Sequence, residues 1–264
     1  MRRASLPVLM VLGLLACGRP QSAPPGPAPS TAPTSHAAPA SVAGAPAPFG
    51  DLSRFAVGRT DKGPQDHGFT EVYERFLFTK RNEPIRILEI GIDQGGSLKT
   101  WADYFPKARI YGIDIEDRRS METDRVKTFV ADQSKRDQLG AFLAKYPGPY
   151  DLILDDGGHS MEQQQVSLGF LFPHVKPGGI YVVEDVHTSL RAFFPHKGFG
   201  ADEDGGNTTL RMLERFFETQ KIESRYMSAD EAAFVTREAE LSNLFHRPGP
   251  PPSVTCLLRR KGTR

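Results

Sequence analysis

The chain has only two cysteines, Cys17 and Cys256, and a single tryptophan, Trp101, in 264 residues. Two distant cysteines exclude a disulfide framework. Two thiols are also too few for a zinc site on their own. Neither sign of charge dominates, because 33 Lys and Arg face 32 Asp and Glu for a formal net charge of +1. That balance excludes a strongly basic nucleic-acid binder and an acidic solvating tail, so no nucleic-acid partner is expected. A long apolar span is missing near the N-terminus. The run Leu6–Ala16 is broken by Pro7 and Gly13, and eleven helical residues cover about 16 Å, short of a ~30 Å hydrocarbon core. Residues 20–50 lack Lys, Arg, Asp and Glu altogether, and hold nine Pro and nine Ala. Such a stretch cannot offset its ordering entropy by burial and reads as a polyproline-rich spacer.

What is present divides into unlike parts. Arg2 and Arg3 precede the short apolar run, and Leu14-Leu15-Ala16-Cys17 closes it. A basic start, a short apolar region and a small residue before the cut describe a secretory signal. The ending resembles the bacterial lipobox, which implies lipidation of Cys17. The expected organisation is a lipoprotein-type signal peptide over 1–17, a Pro/Ala-rich disordered linker over 18–50 and one globular domain over 51–264. The expected location is the bacterial envelope, with a membrane anchor at Cys17; without a real signal it is the cytoplasm. Residues 1–50 carry only Arg2, Arg3 and Arg19 as charges, so the domain itself is slightly acidic. Cys256 lies in the apolar run Val254–Leu258 and reads as a buried small hydrophobe.

From Asp51 onward, strands alternate with helices. Thr70–Lys80 places Val72, Phe76 and Leu77 at helical spacing. Strands are expected over Ile85–Gly91, Arg109–Ile115, Val126–Ala131, Tyr150–Leu154 and Gly179–Val183. Helices are expected over Ser97–Phe105, near Lys135–Lys145 and over Met161–Leu171. This alternation implies βαβ units and a parallel sheet. The fold class is therefore α/β, a Rossmann-like doubly wound, mostly parallel sheet. Glu238–Arg260 is expected to add an antiparallel edge hairpin turning at Pro248–Pro252, since proline donates no ladder bond. Ligands of such sheets bind outside the carboxyl ends of the strands. Glu89, Asp114, Asp132, Asp155, Asp156, Glu184 and Asp185 all fall there.

The first strand-to-helix turn reads Glu89-x-Gly91-x-x-x-Gly95-Gly96-Ser97. Its glycines permit close backbone approach to a ligand, but the spacing is not the dinucleotide fingerprint G-x-G-x-x-G. Asp114, 25 residues after Glu89, is placed to accept both ribose hydroxyls of an adenosine. Asp132-Gln133 ends the third strand, where an adenine amino group could donate. Asp155 is grouped with this cofactor site, as a residue that orients neighbours or caps the next helix. Asp156, Glu184 and Asp185 are expected to converge without Lys or Arg nearby. Their mutual repulsion calls for a divalent cation, and hard oxygen ligands favour Mg²⁺ or Mn²⁺ over zinc. His159, three residues past Asp156, could take the proton of a substrate hydroxyl. His187 is expected in a structural role. Arg191–Asn207, with Phe193, Phe194 and a Gly- and acid-rich loop, suits a lid or acceptor rim.

The runs EIGIDQGGSLKTW, YGIDI, DLILDDGGHSMEQQ and GGIYVVEDVHTS together resemble class I S-adenosylmethionine-dependent methyltransferases. More narrowly, they resemble the metal-dependent sugar O-methyltransferases of macrolide biosynthesis (the mycinamicin type) and cephalosporin-hydroxylase-like proteins. Thr60-Asp61-Lys62-Gly63 and His67-Gly68-Phe69-Thr70 look like the lead-in of that subfamily. The resemblance covers about residues 55–190. It implies S-adenosyl-L-methionine and Mg²⁺ as cofactors, Asp156, Glu184 and Asp185 on the metal, and His159 as general base. The implied reaction is methyl transfer to a hydroxyl of a sugar-like or natural-product small molecule. The alternative is a surface-tethered cofactor- or ligand-binding protein that keeps the fold without turnover. A metal-dependent hydrolase or oxygenase is the weakest option, because a 2-His-1-carboxylate set is lacking. Whether the chain forms an oligomer is open at this stage.

Overall fold

The structure is a computed structural model that describes residues 50–194, 198–249 and 252–262. The expected leader, the expected anchor at Cys17 and all but the last residue of the expected 18–50 linker lie outside the described residues. No helix among the described residues is long and apolar enough to cross a membrane.

Seven strands form one sheet in the order β3-β2-β1-β4-β5-β7-β6. They are β1 Arg86–Ile90, β2 Arg109–Asp114, β3 Val126–Val130, β4 Tyr150–Asp155, β5 Val175–Val183, β6 Ala239–Arg247 and β7 Ser253–Arg260. The first five run parallel. β7 is antiparallel to β5 and to β6. The expected edge hairpin is present, with β6 outermost and β7 inserted against the parallel strands. Pro250 and Pro251 of the expected Pro248–Pro252 turn lie outside the described residues. The helices are α1 Asp51–Ala56, α2 Phe69–Leu77, α3 Gly96–Tyr104, α4 Arg136–Lys145, α5 Met161–Leu171, α6 Thr209–Thr219 and α7 Ala229–Glu238.

Strand parity distributes the core. Ile87, Leu152, Leu154, Ile180 and Val182 pack with Val72, Tyr73, Leu98 and Trp101 on the α1–α3 face. Leu88, Ile153, Tyr181 and Val183 pack with Leu139, Leu168, Leu171 and Phe216 on the α4–α7 face. Successive side chains of a strand point to opposite faces, so the continuous apolar runs reflect a sheet buried on both sides. β4 is buried at all six positions.

Sequence periodicity found the five parallel strands, with ends shifted by a residue or more. β5 begins at Val175, earlier than expected, and its register with β4 shifts between Tyr150 and Leu152. Helices α1, α6 and α7 were not anticipated. α6 is strongly amphipathic, burying Met212, Leu213 and Phe216. Ser160, not Asp155, caps α5: its hydroxyl accepts from Gln163 N while the Gln163 side chain returns to the Ser160 N–H. Such a box is worth about 1 kcal/mol. Cys256 is buried as expected, and burial pushes its thiol pKa up.

Candidate active site

The carboxyl ends of β1, β2, β3 and β4 open onto a cavity of about 620 Å³. Gly91 leaves β1 at φ 86°, and a Cβ there would overlap the Asp156 carbonyl. The β1 and β4 loops can approach this closely only with glycine at that point. Asp93, His159 and Asp185 adopt φ of 47°, 58° and 50°, and all three line the cavity. Left-handed backbone at non-glycine residues is costly and concentrates at functional sites.

Asp114 ends β2 and organises one wall. Its Oδ2 accepts from Ile92 N at 2.9 Å and Asp93 N at 3.1 Å, and its Oδ1 from Glu116 N at 2.8 Å. Burial opposes its charge, but these amides and Arg118 hold its carboxyl below the usual range. Ser97 and Asp132 also line the cavity. Asp132 Oδ1 accepts from the backbone and hydroxyl of Ser134, each at 2.8 Å. Gln133 lines the wall too, yet its amide shapes the β4 loop. Its Nε2 donates to Asp155 Oδ1 at 2.9 Å, and its Oε1 accepts from Gly158 N at 2.8 Å.

The floor carries Asp156, His159 and Asp185. One ligand atom from each lies within 4.8 Å of the others. His159 Nε2 is 3.4 Å from Asp185 Oδ2 and 4.0 Å from Asp156 Oδ1. Thr188 Oγ1 donates to the His159 carbonyl at 2.9 Å, which fixes the loop. Two carboxylates, half-buried beside an imidazole and facing a cavity, fit a small divalent cation with coordination positions left over.

Four expected site residues do not line the cavity: Glu89, Gly95, Asp155 and Glu184. Gly95 sits behind the loop as the residue preceding α3. The other three follow strand parity. Glu89 shares a face with Ile87, so its carboxylate lies beneath α3, where Trp101 Nε1 donates to Oε2 at 3.1 Å. Burial raises its pKa to about 7. Asp155 shares a face with Ile153 and turns to α5, where Ser167 and Gln133 donate to it. Burial raises it to about 6. It is a buried tie between β4, α5 and the Gln133 loop rather than a cofactor contact. Glu184 continues the parity of Val182 toward α2. Tyr73 OH donates to its Oε1 at 2.5 Å.

The expectation of carboxylates free of any nearby cation is corrected by Lys62. Lys62 is 1% exposed, and its ammonium contacts Asp156 Oδ2 and lies 2.9 Å from Glu184 Oε2 and 3.8 Å from Glu89 Oε1. Burial works against this charge, but Asp156, Glu184 and Glu89 override it and raise the lysine pKa. Both Glu184 oxygens are thus engaged, and Glu184 is not among the three residues whose ligand atoms lie within 4.8 Å of one another. Lys62 belongs to a segment, Arg59–Lys62, that lines the cavity and crosses the start of α3. A Cβ at Gly96 would overlap the Arg59 carbonyl. The only sequence signal for this segment was its likeness to the lead-in of the subfamily. None of the described residues of 191–207 lines the cavity. That segment packs elsewhere, with Phe199 O accepting from Met161 N. His187 is structural as expected, since its Nδ1 accepts from Val254 N at 3.2 Å.

Residues 88–186 match a family model described as a methyltransferase domain. Over those residues the chain is similar to methyltransferase domains. It is 44% identical over 161 residues to demethylmacrocin O-methyltransferase of Streptomyces fradiae, covering 58% of this chain and 39% of that protein. It is 36% identical over 196 residues to L-olivosyl-oleandolide 3-O-methyltransferase of Streptomyces antibioticus, covering 70% and 50%. A solved structure of MycE, a methyltransferase of the mycinamycin pathway in complex with Mg, SAH and mycinamycin VI, superposes with a TM-score of 0.64 at 30% identity. That match covers 80% of this chain and 55% of that one. The chain therefore spans about half the length, or less, of these relatives. The Rossmann-like fold and the family resemblance read from the motifs are both borne out.

Proposed function

We propose that this methyltransferase domain transfers a methyl group from S-adenosyl-L-methionine to a hydroxyl of a sugar-like natural product, assisted by Mg²⁺. The carrying observation is one cavity that presents Asp114 on its wall and Asp156, His159 and Asp185 together on its floor. The O-methyltransferase relatives, and a structural neighbour holding Mg and SAH, support the same chemistry.

Asp114, in this account, binds the ribose hydroxyls. Its carboxylate is already anchored by three backbone amides, so it binds without further ordering, a saving that favours affinity. Asp156 and Asp185 would hold the metal ion. When bound, S-adenosylmethionine supplies the methyl group and Mg²⁺ polarises the acceptor hydroxyl. His159 takes the proton of that hydroxyl, and the charge it gains lies beside Asp185 and Asp156. Glu184 is kept behind these groups by Tyr73 and Lys62. Most of the barrier reduction would come from holding the reacting groups in line. An acceptor with vicinal oxygens, such as a sugar diol, suits a floor with open metal positions.

The test is transfer of radiolabelled methyl to a panel of deoxysugar glycosides, with Mg²⁺ and with a chelator. Label in a glycoside, lost with the chelator, supports the proposal. Methylation unaffected by the chelator would remove the metal from it.

A further inference from the structure

The strongest unexplained feature is Lys62. A lysine is almost never fully buried unless paired, and this one is surrounded by three carboxylates from three different segments: Glu89 in β1, Asp156 after β4 and Glu184 after β5. Three acids thus share one fixed cation. Asp156 and Glu184 are its nearest partners, and Tyr73 OH satisfies the other Glu184 oxygen. Breaking a buried ion pair by removing one partner leaves uncompensated charge and is strongly destabilising. Lys62 also touches Asp156, one of the groups that face His159 and Asp185. Its positive charge is therefore close to any cation held on the floor, in a setting where charges are screened weakly.

The geometry points to Lys62 as a resident counter-cation. It gathers Glu89, Asp156 and Glu184 into place before a divalent ion arrives, and by repulsion it weakens the hold of the floor on that ion. This rests on the assignment of Asp156 and Asp185 as the divalent site. Lys62 is thus a positioning residue, acting through the carboxylates it contacts. A fixed charge on the Arg59–Lys62 segment also ties that wall of the cavity to the strand ends. The ion is then held loosely enough to leave, while the carboxylates stay arranged without it.

The experiment compares whole wild-type protein with K62M and K62R at one neutral pH. Two quantities are read: the melting temperature in a chelator, and the affinity for Mn²⁺ alone by the loss of its free paramagnetic signal. K62M is expected to melt lower in the chelator, to regain stability with Mn²⁺, and to bind Mn²⁺ at least tenfold more tightly than wild type. K62R should stay within about twofold of wild type. A residue that merely filled space would lose Mn²⁺ affinity when truncated, because the site would fall apart. Unchanged or weaker Mn²⁺ binding by K62M, or an unchanged melting temperature in the chelator, overturns the inference. If K62M does not fold, K62M/E184Q must fold, since one surplus charge is removed with the lysine; failure of both overturns it equally. Binding of S-adenosylhomocysteine to wild type is scored separately, so a failure of the methyl-transfer proposal is not confused with a failure of this one.

Discussion

Trp101 Nε1 donates to Glu89 Oε2 at 3.1 Å, with both side chains fully buried beneath the turn that opens the cavity. Burial raises the Glu89 pKa from 4.5 to about 7, against the pull of Lys62, Ser97 and Trp101. The folded state therefore binds a proton more tightly than the unfolded chain. The stability this gives is full below pH ~4.5 and is lost as pH rises through about 7. The loss is on the order of 3 kcal/mol, since each pKa unit is worth ~1.4 kcal/mol. Glu89→Gln should flatten that slope between pH 5 and 8. Denaturant unfolding followed by the fluorescence of Trp101, the one tryptophan of the chain, measures it. An equally steep decline in the variant would show that the slope has another source.

His159→Ala should leave cofactor binding intact and reduce methyl transfer by about 10²–10⁴-fold, the usual range for a general base. Its imidazole faces Asp156 and Asp185 rather than the β2 wall, which separates the two properties. Steady-state turnover together with a binding titration checks both. Full activity on an identified acceptor would assign the base elsewhere.

The lipobox-like ending at Cys17 predicts that cells expressing the full chain incorporate a clickable palmitate analogue into it, and that Cys17→Ser abolishes the label. Cys256 does not confuse the result, because it is buried with a thiol pKa pushed up by burial. Label persisting in Cys17→Ser would refute the anchor.

The strand ends and the acids on them could be read from the sequence because β4 and β5 are buried on both faces. Their apolar runs stop where water and ligand begin. Asp114, Asp156, His159 and Asp185 were found this way, and all of them line the cavity. Glu89, Asp155 and Glu184 were placed in the site by their position along the strand alone. Parity was already in the sequence: Glu89 falls two residues after Ile87, and Asp155 two after Ile153. Counting by two sends both carboxylates under helices. Lys62 was not legible, because it comes to the strand ends from a turn 27 residues before Glu89, with no periodicity to mark it. Helix α7 is short and only one of its residues, Val235, is buried, so it gives little apolar pattern to detect.

The central claim is that Asp114 and the β1 turn form the adenosine half of a methyltransferase site. The most direct measurement is calorimetric titration of the protein with S-adenosylhomocysteine, for wild type and Asp114→Ala. The account predicts one saturable site in wild type and at least about thirtyfold weaker binding in the variant, as expected for losing hydrogen bonds to a charged group. Because the Asp114 carboxyl is held below the usual range, wild-type affinity should persist at pH 5 and be lost only below the ordinary Asp value of about 3.9. No binding by wild type at neutral pH, with or without Mg²⁺, would contradict the account.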